Sequence, residues 1–484
     1  TRTLRFDVSY LVSKFENSNE VVSWTNGYFG NGIDNTFLAA DNRYERLAGN
    51  FSWRGLPGNS TLGARFTTDE SKSSIPVVGS VLGTTTGEMT PTNPNTSSYS
   101  GKVDNDTFTA TFASAPARGW DTRLYYYYRK RDDSSTHVTF ASGIENEPYS
   151  YKSNQLGFDA YWRFARGNRL GFGYDFNDTD RHGRWDYDNT EDKKLFVEYK
   201  NTMLDELAAR LKYTRLERDS SFLLGNSGTS PTDVDYWNRY VTAFDLANVN
   251  QDQVKLTLDW SAAPNFDVSF EGIVKRNDYD QNTLGRLKDD RSEIYVSASY
   301  GEIGGPRLTV FGDVEKVEYN STHRVVGSGT TAGAHEPSAP PNASNYNWSG
   351  KVEEENWAVG IALDWQLAKN FALKASAIYY KTDGMVDLQV QDGVPTSVTR
   401  PVPITYFDDT KKTAITLKGV YDFSNSLSLT AGYAYEKYDY SDEQYNGYRN
   451  TIPASSAQDS YLSNLYANPQ YKANIFFGLL TSRF

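Results

Sequence analysis

Apolar and polar residues alternate along this chain in paired segments. One pair runs Val254, Leu256, Leu258, Trp260, turns through Ser261-Ala262-Ala263-Pro264-Asn265, and resumes with Phe266, Val268 and Phe270. Lys255, Thr257, Asp259, Asp267, Ser269 and Glu271 fill the intervening positions. Side chains of a strand point alternately to its two faces, so each pair is a hairpin with one apolar and one polar face. The rhythm persists from end to end and predicts about eighteen strands. The first lies near 3–14, and hairpins follow at 43–54 with 60–69, 106–114 with 120–130, and 153–164 with 169–176. Further hairpins lie at 193–200 with 207–216, 252–260 with 266–275, 291–300 with 307–317, 355–366 with 371–380, and 412–423 with 427–438. A last strand covers 471–484.

The connections alternate in length. Tight ones carry turn formers: Pro57-Gly58-Asn59, Pro116-Ala117-Arg118-Gly119, Arg166-Gly167-Asn168, Lys369-Asn370 and Ser424-Asn425-Ser426. Gly and Asn accept positive φ and Pro pre-sets the bend, which short hairpins require. The others, such as 17–42, 71–105, 220–250, 320–350 and 441–470, are long and polar. Loops of that length are uncommon in compact soluble domains. A long sheet with one apolar and one wet face, short turns at one end and long loops at the other, fits a bacterial outer membrane. The fold class is therefore all-β, a single antiparallel up-and-down transmembrane barrel over residues 1–484, with short periplasmic turns and long extracellular loops. An even strand number, with 18–20 the expected range, closes without an exposed edge. Trp53, Trp120, Trp162, Trp260 and Trp365, half of the 10 tryptophans, fall close to short turns. An indole favours the membrane–water interface, so these five are expected to form an aromatic girdle.

Composition narrows the choice. Only 38% of residues are hydrophobic, which is poor for a large core, yet 14% are aromatic, which is rich for a disordered chain. The greasiest run, Ile475-Phe476-Phe477-Gly478-Leu479-Leu480, is strand-length and too short for a spanning helix. No signal peptide is visible, and the chain opens on strand-like Leu4, Phe6, Val8 and Tyr10, so its start reads as processed or truncated. With no cysteine, these residues offer no disulfide, thiolate metal site or covalent haem attachment. A net charge of −12 speaks against a nucleic-acid partner. The terminal Phe484 resembles the recognition signal of outer-membrane barrels, although Thr481-Ser482-Arg483 before it are less apolar than usual.

Candidate chemistry is sparse. His137, His182, His323 and His335 fall in expected long loops without metal-ligand spacing, and no phosphate loop or nucleophile elbow is present. No catalytic residue and no metal site are expected. Acidic clusters at Arg131-Asp132-Asp133, 188–192, Lys288-Asp289-Asp290 and 439–443 are weak candidates for calcium, since none matches an EF-hand loop. The polar face is the more informative surface. It places Arg123, Arg129, Asp159, Arg163, Arg169, Asp175, Glu198 and Lys200 toward the lumen. Arg210, Lys212, Lys255, Asp259, Asp267, Glu271 and Lys275 join them. Charges of both signs around the wall suit either a wide diffusion channel or a lumen filled by another protein through polar contacts.

The middle of the chain resembles the MtrB/PioB family. The resemblance is carried by Thr179-Asp180-Arg181-His182, Thr190-Glu191-Asp192-Lys193, Leu195-Phe196-Val197-Glu198-Tyr199 and Leu211-Lys212-Tyr213. It continues through Glu217-Arg218-Asp219-Ser220-Ser221-Phe222, the block YVTAFDLANVNQD at 240–252, Asn277-Asp278-Tyr279-Asp280 and Leu284-Gly285-Arg286-Leu287. The resemblance implies an outer-membrane sleeve around a periplasmic multihaem c-type cytochrome, so that electrons cross the membrane along the partner's haem c groups. It also implies an extracellular multihaem cytochrome at the long loops, and a barrel with no redox cofactor of its own. A passive or solute-selective diffusion porin is the alternative.

Overall fold

A computed structural model describes residues 3–17, 21–26, 32–37, 40–77, 95–139, 145–183, 187–222, 240–279, 281–302, 304–327, 336–396, 398, 404–443 and 470–482. Its elements are strands: β1 (Leu4–Phe15), β2 (Val21–Asn26), β3 (Gly32–Phe37), β4 (Asp41–Leu56), β5 (Ser60–Pro76), β6 (Ser98–Ser114) and β7 (Trp120–Asp133). Then come β8 (Ser150–Ala165), β9 (Asn168–His182), β10 (Tyr187–Leu204), β11 (Leu207–Phe222), β12 (Val241–Thr242), β13 (Val249–Ala263) and β14 (Phe266–Asp278). The last are β15 (Leu284–Gly301), β16 (Pro306–Val325), β17 (Tyr346–Ala368), β18 (Phe371–Val390), β19 (Asp409–Ser424), β20 (Leu427–Ser441) and β21 (Tyr471–Ser482).

β1, β4–β11 and β13–β21 form one antiparallel meander of 18 strands in sequence order, as the alternation predicts. β2 and β3 pair only with each other, and β12 is a two-residue parallel bridge to β15. The short turns need left-handed backbone: Gly58 has φ 70° and Asn59 φ 53°, and Gly167 has φ 73°. Next to the short turns, ladders slip at Arg54/Leu56, Trp162/Ala165, Asn201/Leu204, Ser261/Ala263, Gln366/Ala368 and Asp422/Ser424. Bulges at barrel rims bend strands and end pairing in this way.

Two expectations change. Strands run further toward the long-loop end than the alternation indicates; β17 begins at Tyr346, where the pattern begins at 355. Beyond the lipid-facing band the outward residues become charged and pair across strands, as in Lys316–Glu353 at 3.6 Å and Lys351–Glu318 at 3.2 Å. A strand polar on both faces has no hydrophobic alternation to read. The stretches 78–94, 223–239, 328–335 and 444–469 of the expected long loops, with His335, lie outside the described residues, as does Phe484. The second change concerns closure. Among the described residues β1 pairs only with β4 and β21 only with β20, so the seam between first and last strand carries no ladder.

Candidate functional site

Register fixes which side chains share a face. Leu256, Leu258 and Trp260 on β13 stand opposite Leu211, Ala209 and Leu207 on β11, and this is the apolar outer face. The inner face carries rows such as Arg123, Asp159, Gly173 and Phe196, which are successive partners across β7, β8, β9 and β10. All fifteen lumen candidates lie on described strands and share this inner face. Trp53, Trp120, Trp162, Trp260 and Trp365 share the outer face near the short turns; Trp120 and Trp162 are direct partners, stacked at 5.7 Å.

The inner wall over β7–β11 is a tight polar–aromatic mosaic. Arg123 Nε donates to Asp159 at 2.8 Å, and its guanidinium lies 4.6 Å from the Tyr125 ring centroid. The Tyr125 hydroxyl donates to Asp175. Arg169 pairs with Glu198 at 2.8 Å and covers Tyr161 at 4.6 Å. Lys212 lies 4.3 Å from the Phe196 ring. Asp159 and Glu198 are only 4% and 5% exposed, which such charges tolerate because each is paired. Glycines make the room. A Cβ on Gly157 would run into Tyr125, and one on Gly173 into Phe196 and to 2.7 Å from Asp159 Oδ1. These inward aromatics are invisible to a search for polar residues. Their signal was the glycine at the cross-strand position, in Gly171 and Gly173 opposite the Phe196–Glu198 stretch.

The other lumen candidates divide into paired and unpaired. Arg163 meets Asp121, Lys255 meets Glu271 at 2.6 Å, Asp267 meets Arg307 at 2.9 Å, and Asp259 accepts from Ser269 at 2.8 Å. Arg129, Lys200, Arg210 and Lys275 make no ion pair among the described residues. Arg129 lines a wall recess together with Tyr127, Asp175 and Lys194.

At the long-loop end the segment 243–249 folds inside, against the inner face of β10–β16. Arg218 holds it, pairing with Asp192 at 2.6 Å and donating to the Asp245 carbonyl. The Ser220 hydroxyl donates to the Leu246 carbonyl, and Ser220 N to Asn248 Oδ1 at 3.1 Å. Arg286 lies between the rings of Phe244 and Tyr319, at 4.1 and 4.3 Å, and pairs with Asp289 at 3.0 Å. Leu246, Ala247, Val249 and Tyr279 form the small apolar core beneath. Burial, with Asp289 nearby, pushes the Tyr279 hydroxyl above its usual pKa.

The expected acidic loops and loop histidines are mostly on strands. Asp133 pairs with Arg131 at 3.1 Å, Asp192 with Arg218, Asp289 with Arg286, and Asp439 with Lys437. Among the described residues no three His, Asp or Glu side chains are grouped to hold a metal. His182 ends β9, and His323 in β16 stacks on Trp348 at 4.2 Å; His137 faces Glu145 at 3.3 Å.

Comparison with known proteins agrees with this architecture. The family described as "Putative outer membrane beta-barrel porin, MtrB/PioB" matches residues 1–484. Outer membrane protein MtrB of Shewanella baltica (strain OS185) is 20% identical over 249 residues, covering 51% of this chain and 33% of that relative. The chain thus matches about a third of the relative's length. Among solved structures, the FrpB iron transporter of Neisseria meningitidis (F3-3 variant) is similar at a TM-score of 0.50 with 9% identity, covering 90% of this chain and 64% of that one. The ferric enterobactin receptor PfeA has a TM-score of 0.48 with 12% identity, covering 100% and 76%. The likeness to FrpB, at such identity, speaks for the fold alone. The chain belongs to the MtrB/PioB family of outer-membrane β-barrel porins, and the bacterial outer membrane is its location.

Proposed function

We propose that this barrel is a sleeve that holds a periplasmic multihaem c-type cytochrome in its lumen and insulates it while electrons cross the outer membrane. The inner wall carries the proposal: a charged surface in which Arg129, Lys200, Arg210 and Lys275 make no ion pair among the described residues. Polar contact to an occupying protein would complete such a wall, as in other protein interfaces. Family membership supports it. In this reading all haem c belongs to the partner, since the 484 residues hold no cysteine for covalent attachment. The barrel performs no catalysis; an extracellular multihaem cytochrome meets the long-loop end, and the five tryptophans sit at the periplasmic interface.

A solute-selective porin is the second reading, favoured by the 243–249 segment folded inside the mouth. Purification in mild detergent, followed by haem staining and a visible spectrum, separates the two. A haem protein at one copy per barrel is expected. A haem-free barrel that conducts small solutes in planar bilayers would refute the sleeve.

A further inference from the structure

Cross-strand neighbours on the inner wall repeat the same sign. Arg169 stands opposite Lys200, which stands opposite Arg210. One row higher Lys212 faces Lys255. Like charges directly opposite on neighbouring strands destabilise a sheet. Glu198 and Glu271 neutralise Arg169 and Lys255, which leaves Lys200, Arg210 and Lys212 in excess. Further round the wall the sign reverses. Glu293 faces Glu315, with Arg291 shared between them. Beside them Asp313 keeps a buried carboxylate oxygen with no hydrogen-bond partner, and Glu354 on β17 makes no ion pair among the described residues.

A wall evolved only to pair with itself would interleave its signs. This one pairs many of its charges yet keeps a net basic sector on β9–β11, where Asp175, Asp192 and Glu198 are outnumbered by cations, and a net acidic sector on β15–β17. We infer that the lumen is a two-sector electrostatic socket that fixes the rotation of its occupant: a protein whose carboxylate-rich side lies on Lys200, Arg210 and Lys212, and whose basic side lies on Asp313 and Glu354. This rests on the sleeve reading and adds the occupant's chemistry and orientation to it. Complementary potentials of this kind set orientation and reject wrong partners.

The test compares K200E/R210E with wild type and with E70K, a change on the outer face, each isolated with its haem protein in mild detergent. Native folding is read from heat-modifiable mobility. At low salt, K200E/R210E is expected to retain roughly tenfold less haem protein per barrel, with E70K unchanged. Raising salt from about 0.05 to 0.5 M should release the wild-type partner and shrink that difference. A folded K200E/R210E barrel that retains wild-type haem would overturn the socket and leave the sleeve standing. A wild-type barrel without any haem protein defeats the sleeve itself. If that empty barrel also prefers anions and K200E/R210E reverses the preference, the basic sector serves diffusing carboxylates and protein docking is overturned.

Discussion

Arginine placed along the outer face of β13 should map the depth of the lipid band. Each strand residue advances about 3.4 Å, and a strand tilt of roughly 40° leaves about 2.6 Å of that along the membrane normal. Counting from Trp260 as the periplasmic interface puts Leu258 about 5 Å in, Leu256 about 10 Å and Val254 about 16 Å. The apolar band of such barrels is about 25 Å tall, so its midplane falls about 12 Å from the girdle. Leu256→Arg should therefore cost most, ~2–4 kcal/mol, Leu258→Arg about 1 kcal/mol, and Val254→Arg an intermediate amount. Thr257→Arg points inward, between Arg210 and Glu271, and should change stability by less than about 1 kcal/mol. Urea titration in lipid vesicles, read by tryptophan fluorescence, measures all four. A flat profile across the outward positions, or Thr257→Arg as damaging as Leu256→Arg, would refute the facing and the depth together.

Gly173→Val should destabilise the barrel by about 1–3 kcal/mol, because the new side chain enters space held by Phe196 and Asp159; the same urea titration reads it. Arg218→Ala strips Asp192 of its partner and frees the Asp245 carbonyl, so amide exchange across 243–249 should rise roughly tenfold or more while the β7–β9 ladders keep their protection. Equal protection of the segment in both proteins would show that Arg218 does not hold it. Tyr279 supplies a pH dependence of known sign: its folded pKa lies above the usual value near 10, so its contribution is complete below about pH 10 and is lost as pH rises through the folded pKa. A fall in the protection factors of 243–249 at alkaline pH, once the base-catalysed intrinsic exchange rate is divided out, is the expected result for wild type and not for Tyr279→Phe, and identical protection profiles for the two proteins would refute it.

The strands were legible because the lipid-facing side of a barrel asks little of each residue. Any apolar side chain serves at Leu256 or Val268, so the demand appears as periodicity and survives in a single sequence. The inner face obeys a different rule. Tyr125, Tyr161 and Phe196 share that face with Arg123, Arg169 and Lys212, so a reading by polarity picks out the cations and passes over the rings beside them. The sign segregation was equally hidden, because Lys200 and Arg210 become neighbours only through the register of β10 with β11. Strand ends failed for the converse reason. Above the bilayer, pairs such as Lys193–Asp219 at 2.9 Å make the outward face polar, and periodicity stops before the hydrogen-bonded ladder does.

The irregular blocks of the middle third find their explanation at the mouth. Asp192, Arg218, the 240–252 stretch, Tyr279 and Arg286 lie on or beside different strands and share no periodicity, yet they meet at one place. A ladder slip between Arg286 and Lys288 turns Arg286 inward, toward Phe244. Without that bulge, strict alternation would aim Arg286 at the outside and leave the Phe244 ring without its cation. The hairpin rhythm therefore accounts for where the protein lives, while the departures from it build the long-loop mouth.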